Sequence, residues 1–350
     1  LGVHGDSCWT EMVRCPSASE LLRASELLRT ADAACNGMLR SSSSEFTEMM
    51  RSAADRCKRA RNNVKFLELP PSLRRPYILT AYRANHDLRS CVRSLFQLHN
   101  ETVNVWTHLL GCAGFVAMLF YVADATCDAE GEGGAAGEGG AAIGEGGAAG
   151  VECLERWPLY VFLGSATVCL GSSTVYHLFG TANEKWEIAL RNVDYGGIVS
   201  LIVGSCAPVV HFGFGDAYPL TRFVYMLAIG ALGAAVLVCS FTPWLDRRNG
   251  LRIALFVALA LSGVVALLHA MVAHDFSPRL VSMLHGVLAM GATYLLGVGF
   301  YATHLPESLR PARTFDLIGS SHCIWHVCVV LGALRHYSTV VSLWRDSAHG

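Results

Sequence analysis

The chain has 350 residues, of which 52% are hydrophobic and only 16% charged, with a net charge of −1 and a mean hydropathy of +0.37. Length alone would admit two soluble domains, but a soluble domain carries about 25% charged residues, so the composition argues against that class. The near-zero net charge leaves no electrostatic footprint for a nucleic-acid partner. Of the 13 cysteines, those that fall in apolar runs read as small buried hydrophobes. No CxxC pair supports a cysteine metal site. The chain begins at Leu1 rather than Met, which leaves open a segment before it, a removed signal peptide included.

Residues 1–65 are rich in Ser, Arg and Ala and contain SELLR twice, at Ser19–Arg23 and Ser25–Arg29. Leu21, Leu22, Leu27 and Leu28 are spaced to form one face of an expected short amphipathic helix, and Ser41–Ser44 reads as a linker. This arm is expected to be partly disordered. A solvated basic arm is the bland reading, attraction to anionic lipid the sharper one.

Seven stretches without Asp, Glu, Lys or Arg follow: Asn104–Ala123, Trp157–Gly180, Tyr195–Phe214, Phe223–Leu245, Ile253–Ala273, Leu280–Thr303 and Leu317–Leu334. About 20 apolar residues cross the hydrocarbon core as a helix. None of the stretches alternates like a strand, and none has the polar face of a soluble helix. The expected fold is all-α: a polytopic, seven-transmembrane helix bundle over residues 66–343, with a tail at 344–350. Pro208 and Pro243 are expected to kink the third and fourth spans. Gly230, Gly233, Ala234 and Ala235 suit close helix packing.

Orientation follows from the short loops. One side has loops 181–194, 246–252 and 304–316, carrying Lys185, Arg191, Arg247, Arg248, Arg252, Arg310 and Arg313. The other carries only Arg156, Arg222 and Arg279. Arg74, Arg75, Arg83, Arg89 and Arg93, just before the first span, join the richer side. That side is expected to be cytoplasmic, with the N-terminus inside and the C-terminus extracytoplasmic. The sequon Asn100-Glu101-Thr102 then faces the cytoplasm, unused. The outer loop 124–156 repeats GEGGAA from Gly131, Gly137 and Gly144. It reads as flexible low-complexity sequence without chemistry, and Cys127 and Cys153 flanking it are open to a disulfide.

Ionisable groups inside spans are costly and mark function by default. They are His108, His177, Asp194, His211, His269, His285, His322 and His326. His177 closes the second span, Asp194 opens the third, and His322 and His326 open the seventh, so all four share the inner side. His322 and His326 are four apart and lie on one helix face. Two imidazoles so placed hold one metal ion in other helical motifs. His177 supplies a third nitrogen, leaving one position open, as in a catalytic zinc site. Ser173 shares the face of His177, and Asp194 stands where it would orient or deprotonate a bound water. On spacing alone, metal ligation and a hydrogen-bonded packing cluster stand level. His108 reads as a structural hydrogen-bonding group, and His211, His269 and His285 as helix-to-helix contacts on the outer side. There is no GxSxG elbow, P-loop or GxGxxG after a strand.

The run Pro76-Tyr-Ile-Leu-Thr-Ala-Tyr-Arg83, then Ser94-Leu-Phe96, then His99-Asn-Glu-Thr-Val-Asn-Val-Trp-Thr-His-Leu-Leu-Gly111 resembles the progestin and adipoQ receptor family, which takes in adiponectin receptors, membrane progestin receptors and hemolysin III-like proteins. Ser173-Thr-Val-Tyr-His177, Asp194-Tyr-Gly-Gly197 and His322-Cys-Ile-Trp-His326 match later motifs of that family. The resemblance covers roughly residues 66–343 and implies seven helices with a cytoplasmic N-terminus. It implies a zinc ion on His177, His322 and His326, with Asp194 and Ser173 beside it as catalytic residues. The chain departs from the family in its long Gly-rich outer loop and in residues 1–60. The resemblance implies a zinc-dependent amide hydrolase (a ceramidase) acting on a ceramide-like lipid, releasing a sphingoid base and a free fatty acid. The alternative is a signalling receptor for a protein hormone on the outer face or a steroid, with structural zinc. An alkaline ceramidase proper has similar Ser, Asp and His placement, but the run around Asn100–Gly111 argues against it. A multi-pass protein of the plasma membrane or of Golgi or endoplasmic reticulum membranes is expected.

Overall fold

The computed structural model describes residues 61–131, 156–246, 248–310 and 313–348. The SELLR repeats, the Ser41–Ser44 linker, the GEGGAA repeats and Cys153 (hence its pairing with Cys127) lie outside them.

A short antiparallel pair, β1 (Arg61–Val64) with β2 (Tyr82–Ala84), opens the described chain. Helix α1 (Leu88–Ser94) follows, with the Asp87 side chain accepting from the Ser90 N–H as its N-cap. The long helices are α2 (Thr102–Gly131), α3 (Trp157–Phe179), α4 (Glu184–Phe214), α5 (Pro219–Ser240), α7 (Asn249–Ala273), α8 (Pro278–Thr303) and α9 (Ser321–Ala348); a one-turn α6 (Pro243–Asp246) links α5 to α7. The seven long helices are each apolar and long enough to cross a membrane. The protein is an integral, multi-pass membrane protein.

All seven apolar stretches are largely helical, but several boundaries move; the seventh helix begins only at Ser321, four residues into its stretch. Helix α4 begins at Glu184, eleven residues before the apolar stretch, because its N-cap Asn183 accepts from the Lys185 N–H. At about 46 Å it outruns a hydrocarbon core of about 30 Å. Asp194 therefore sits three turns inside α4 rather than at its start. Pro243 does not kink the fourth span: α5 ends at Ser240 and the proline opens α6. A proline's missing N–H costs nothing at a helix start. Pro208, by contrast, is inside α4 as expected. Helix α9 runs past Arg335 to Ala348, and α2 runs into the expected loop as far as Gly131.

Helix α4 is the central element. Its apolar window is 72% buried, against 17% for α2 and for α8. It meets α3 at glycines: a methyl group on Gly197 would stand 2.9 Å from Cys169 Cα, and one on Gly204 would stand 3.3 Å from the Val161 carbonyl oxygen. Backbones this close rely on small residues. The main core gathers Phe115, Phe162, Leu170, Val210, Leu267 and Met283 from five helices. A second, smaller core (Val64, Leu69, Leu73, Ile78, Tyr82 and Ala84) closes the segment before α1. Asp316, between α8 and α9, ties that segment to the bundle. Its carboxylate accepts from Leu79 N at 3.2 Å, Thr80 N at 2.8 Å and Thr80 Oγ1 at 2.6 Å.

Candidate metal centre

Three helix ends meet at one side of the bundle. The last turn of α3 supplies His177, and the first two turns of α9 supply His322 and His326. One potential ligand atom from each lies within 4.8 Å of the others, with His177 and His326 buried and His322 half-buried. His322 Nε2 is 3.2 Å from His177 Nε2. The i, i+4 spacing sets His322 beside His326 on one face of α9, with ring centroids 4.8 Å apart and the planes tilted by 50°.

Neighbouring acceptors fix the ring nitrogens of two of the three histidines. His177 Nδ1 lies 2.8 Å from Glu101 Oε2, and His326 Nδ1 lies 3.1 Å from the Asn104 carbonyl oxygen. Carboxylate and carbonyl oxygens only accept, so each Nδ1 carries the proton and each Nε2 keeps a lone pair. An orienting hydrogen bond on the far nitrogen is the usual support for a metal-ligating histidine. This donor set suits a metal ion.

Glu101 is the residue that the sequence reading passed over, because it falls inside a sequon. It sits one position before α2. Its Oε2 also accepts from Asn104 Nδ2 at 2.6 Å, and Oε1 is 3.9 Å from Arg75 Nε. Burial would raise its pKa, but His177 and then Arg75 prevail and hold the carboxyl well below the usual carboxylate range. A carboxylate beside the start of an apolar span, followed three residues later by an amide, was the available signal. Asn100 of the sequon is buried, with its N–H on the Ala81 carbonyl oxygen.

The ends of α3 and α9 are themselves braced. Arg83, 2% exposed, donates to the carbonyls of His177 (2.7 Å) and Leu178 (3.0 Å), to Thr181 Oγ1 (3.1 Å) and to Ser94 Oγ (2.7 Å). It thereby satisfies carbonyls that a helix C-terminus leaves orphaned. Glu307 accepts from Ser321 N at 2.7 Å and from the Ser321 hydroxyl, which caps α9 one residue before His322.

Ser173 is buried one turn before His177, on the side of α3 that faces Asp194. Asp194 is half-buried and within electrostatic reach of His177. The structure thus gathers all five residues picked from the sequence. His108 stacks on His326 with centroids 3.7 Å apart, and its Nε2 is 3.3 Å from the His326 carbonyl oxygen, which is the structural role expected. The other histidines stand apart from the trio. His211 packs edge-on to Trp157 at 5.2 Å, His269 Nδ1 is 3.0 Å from the Tyr225 hydroxyl, and His285 is exposed on α8. His336 was missed because the apolar stretch stopped at Leu334; it is fully buried, with Nε2 3.0 Å from the Ser205 carbonyl oxygen.

The Haemolysin-III related family model matches residues 96–337. Heptahelical transmembrane protein 1 of Arabidopsis thaliana is 35% identical over 291 residues, which is 82% of this chain and 83% of that protein. Heptahelical transmembrane protein ADIPOR1 of Oryza sativa subsp. japonica is 33% identical over 314 residues, 79% of this chain and 83% of that protein. Adiponectin receptor protein of Drosophila melanogaster is 30% identical over 253 residues, 71% of this chain and 52% of that protein. With seven spanning helices and this breadth of match, the chain belongs to the Haemolysin-III related family, the group of the progestin and adipoQ receptors.

Proposed function

We propose that this adiponectin-receptor-like membrane protein is a zinc-dependent amide hydrolase acting on a ceramide-like lipid, with His177, His322 and His326 as metal ligands. The observation that carries the reading is the convergence of three imidazoles, two of them with Nδ1 held by acceptors, with Ser173 and Asp194 beside them. The 3.2 Å between His177 Nε2 and His322 Nε2 brings two of the candidate ligand atoms close enough to share one ion. A zinc ion held by His177, His322 and His326 would polarise an amide carbonyl and would lower the pKa of a water bound to it.

The protein's own groups divide the remaining work. Asp194 accepts a proton from the attacking water at a carboxylate oxygen and returns it to the leaving amine nitrogen. Ser173, buried beside the histidines, would position the water or the substrate. One water is consumed, the C–N amide bond breaks, and a fatty acid and a sphingoid base leave. The Lys and Arg bias of the short loops supports a cytoplasmic placement of the site.

A second reading rests on the name of the Drosophila relative, an adiponectin receptor: a receptor for an outer protein ligand, in which the metal fixes helix packing. Fatty-acid release from labelled ceramide by protein in nanodiscs separates the two. Release that vanishes in His322→Ala/His326→Ala, with the helical fold intact, supports the hydrolase. Metal-loaded protein that releases no more than this variant sinks it and leaves the receptor reading.

A further inference from the structure

Helix α1 presents a surface that the bundle does not cover. Leu88, Val92 and Phe96 are spaced by four, so they form one row along α1 and the turn after it. They are 59%, 49% and 83% exposed, and Leu98 is 77% exposed. All four precede the first spanning helix, so exposure to lipid within a span does not account for them. Uncovered apolar rows of this kind mark interaction sites. Arg89 and Arg93, also four apart, stand exposed beside the row, and neither forms an ion pair among the described residues. The opposite face is buried, where Cys91 packs with Val105, Leu178 and Ala182.

The neighbours of the row place it at the membrane boundary. The Phe96 ring is edge-on to Trp106 at 6.3 Å, and the Trp106 indole N–H donates to the Leu95 carbonyl at 2.9 Å. Trp106 lies in the second turn of α2, where a spanning helix enters the headgroup region and aromatic side chains concentrate. An apolar row with a basic flank at that depth has the composition of an interfacial helix.

We propose that α1 is a binding site for anionic glycerophospholipids in the leaflet on the histidine side. Leu88, Val92 and Phe96 enter the acyl boundary, and Arg89 and Arg93 hold the headgroup phosphate and carboxylate. The bilayer is the occupant because Phe96 adjoins a spanning helix and the flanking charge complements anionic headgroups. The buried face of α1 connects to the metal centre, since Ser94 Oγ and the His177 carbonyl are both held by Arg83.

Native mass spectrometry of the full chain, titrated with phosphatidylserine and phosphatidylcholine, tests this. The wild type retains phosphatidylserine preferentially. Arg89→Gln/Arg93→Gln weakens that preference by about thirtyfold at low salt, for two arginines at an anionic surface, and added salt weakens the wild type in the same direction. Phe96→Ser loses both lipids alike. An unchanged phosphatidylserine preference in the arginine variant overturns the proposal. So does a dimer in nanodiscs that Phe96→Ser converts to monomer, since a second copy would then cover the row.

Discussion

Replacing Glu101 probes the proposed metal centre without touching a proposed ligand. Glu101 Oε2 accepts from both His177 Nδ1 (2.8 Å) and Asn104 Nδ2 (2.6 Å), and Arg75 lies 3.9 Å from the other oxygen. Glu101→Gln keeps the shape and one acceptor but removes the charge that makes His177 a stronger donor to a metal. Glu101→Ala removes both. Outer-shell partners of this kind are worth 10- to 100-fold in metal affinity. We therefore expect zinc affinity about tenfold weaker for Gln and about a hundredfold weaker for Ala, or ~1.4 and ~2.7 kcal/mol. Metal binding stabilises the fold in proportion to the logarithm of metal concentration over Kd, so the melting-temperature gain on adding zinc shrinks in the same order. The assay is chelator competition followed by metal analysis, with melting curves taken with and without zinc. Glu101→Ala also leaves two buried donors unpaired, at about 2–3 kcal/mol in the metal-free protein. If both variants hold zinc as tightly as the wild type while melting lower, Glu101 is a packing group and the argument from its hydrogen bond to His177 fails.

Three further outcomes follow from single contacts. Gly197→Ala places a methyl group 2.9 Å from Cys169 Cα. It should force α3, with Ser173 and His177, away from α4, with Asp194, at about 1–3 kcal/mol and with loss of amide hydrolysis; Gly230→Ala, which meets open space, is the control for both readouts. Arg83→Ala should cost roughly 3 kcal/mol, because four acceptors lose a buried charged donor, and Arg83→Lys should recover only part of the lost melting temperature, since an ammonium lacks the planar fork. His99 is pushed down to about 3 by burial and then by Arg83. Its Nδ1 accepts from the Glu101 N–H at 3.2 Å while Nε2 lies 3.2 Å from the Ser94 carbonyl, so both nitrogens are committed in the neutral form. The unfolded chain takes up this proton first, near 6.5. Stability is therefore intact above about 6.5 and falls as pH drops toward 3. His99→Gln should flatten that slope in melting curves between pH 7 and pH 5, and an unchanged slope assigns the acid sensitivity to other groups.

The sequence by itself determined that this is a bundle of seven spanning helices. A hydrocarbon core demands about 20 apolar residues with every backbone group paired internally, so composition, length and the spacing of charges decide the architecture locally. It also determined the ligand candidates. His322 and His326 share a helix face through their four-residue spacing, and His177, Ser173 and Asp194 fall at the same depth once the spans are counted. What the sequence left level, metal ligation against a packing cluster, turns on which nitrogen of each imidazole is free. That depends on Glu101 and the Asn104 carbonyl, 76 residues from His177 and 222 from His326. Charged groups outside the apolar stretches carry no periodic signal, so Arg83, Glu307 and Asp316 were legible only as loop charges. Where helices end was equally hidden, because an Asn183 cap or a proline at the start of α6 acts through backbone hydrogen bonds that apolarity does not record. Tertiary structure alone decided which polar atoms face each other, since segments distant in sequence meet only where α3, α4 and α9 converge.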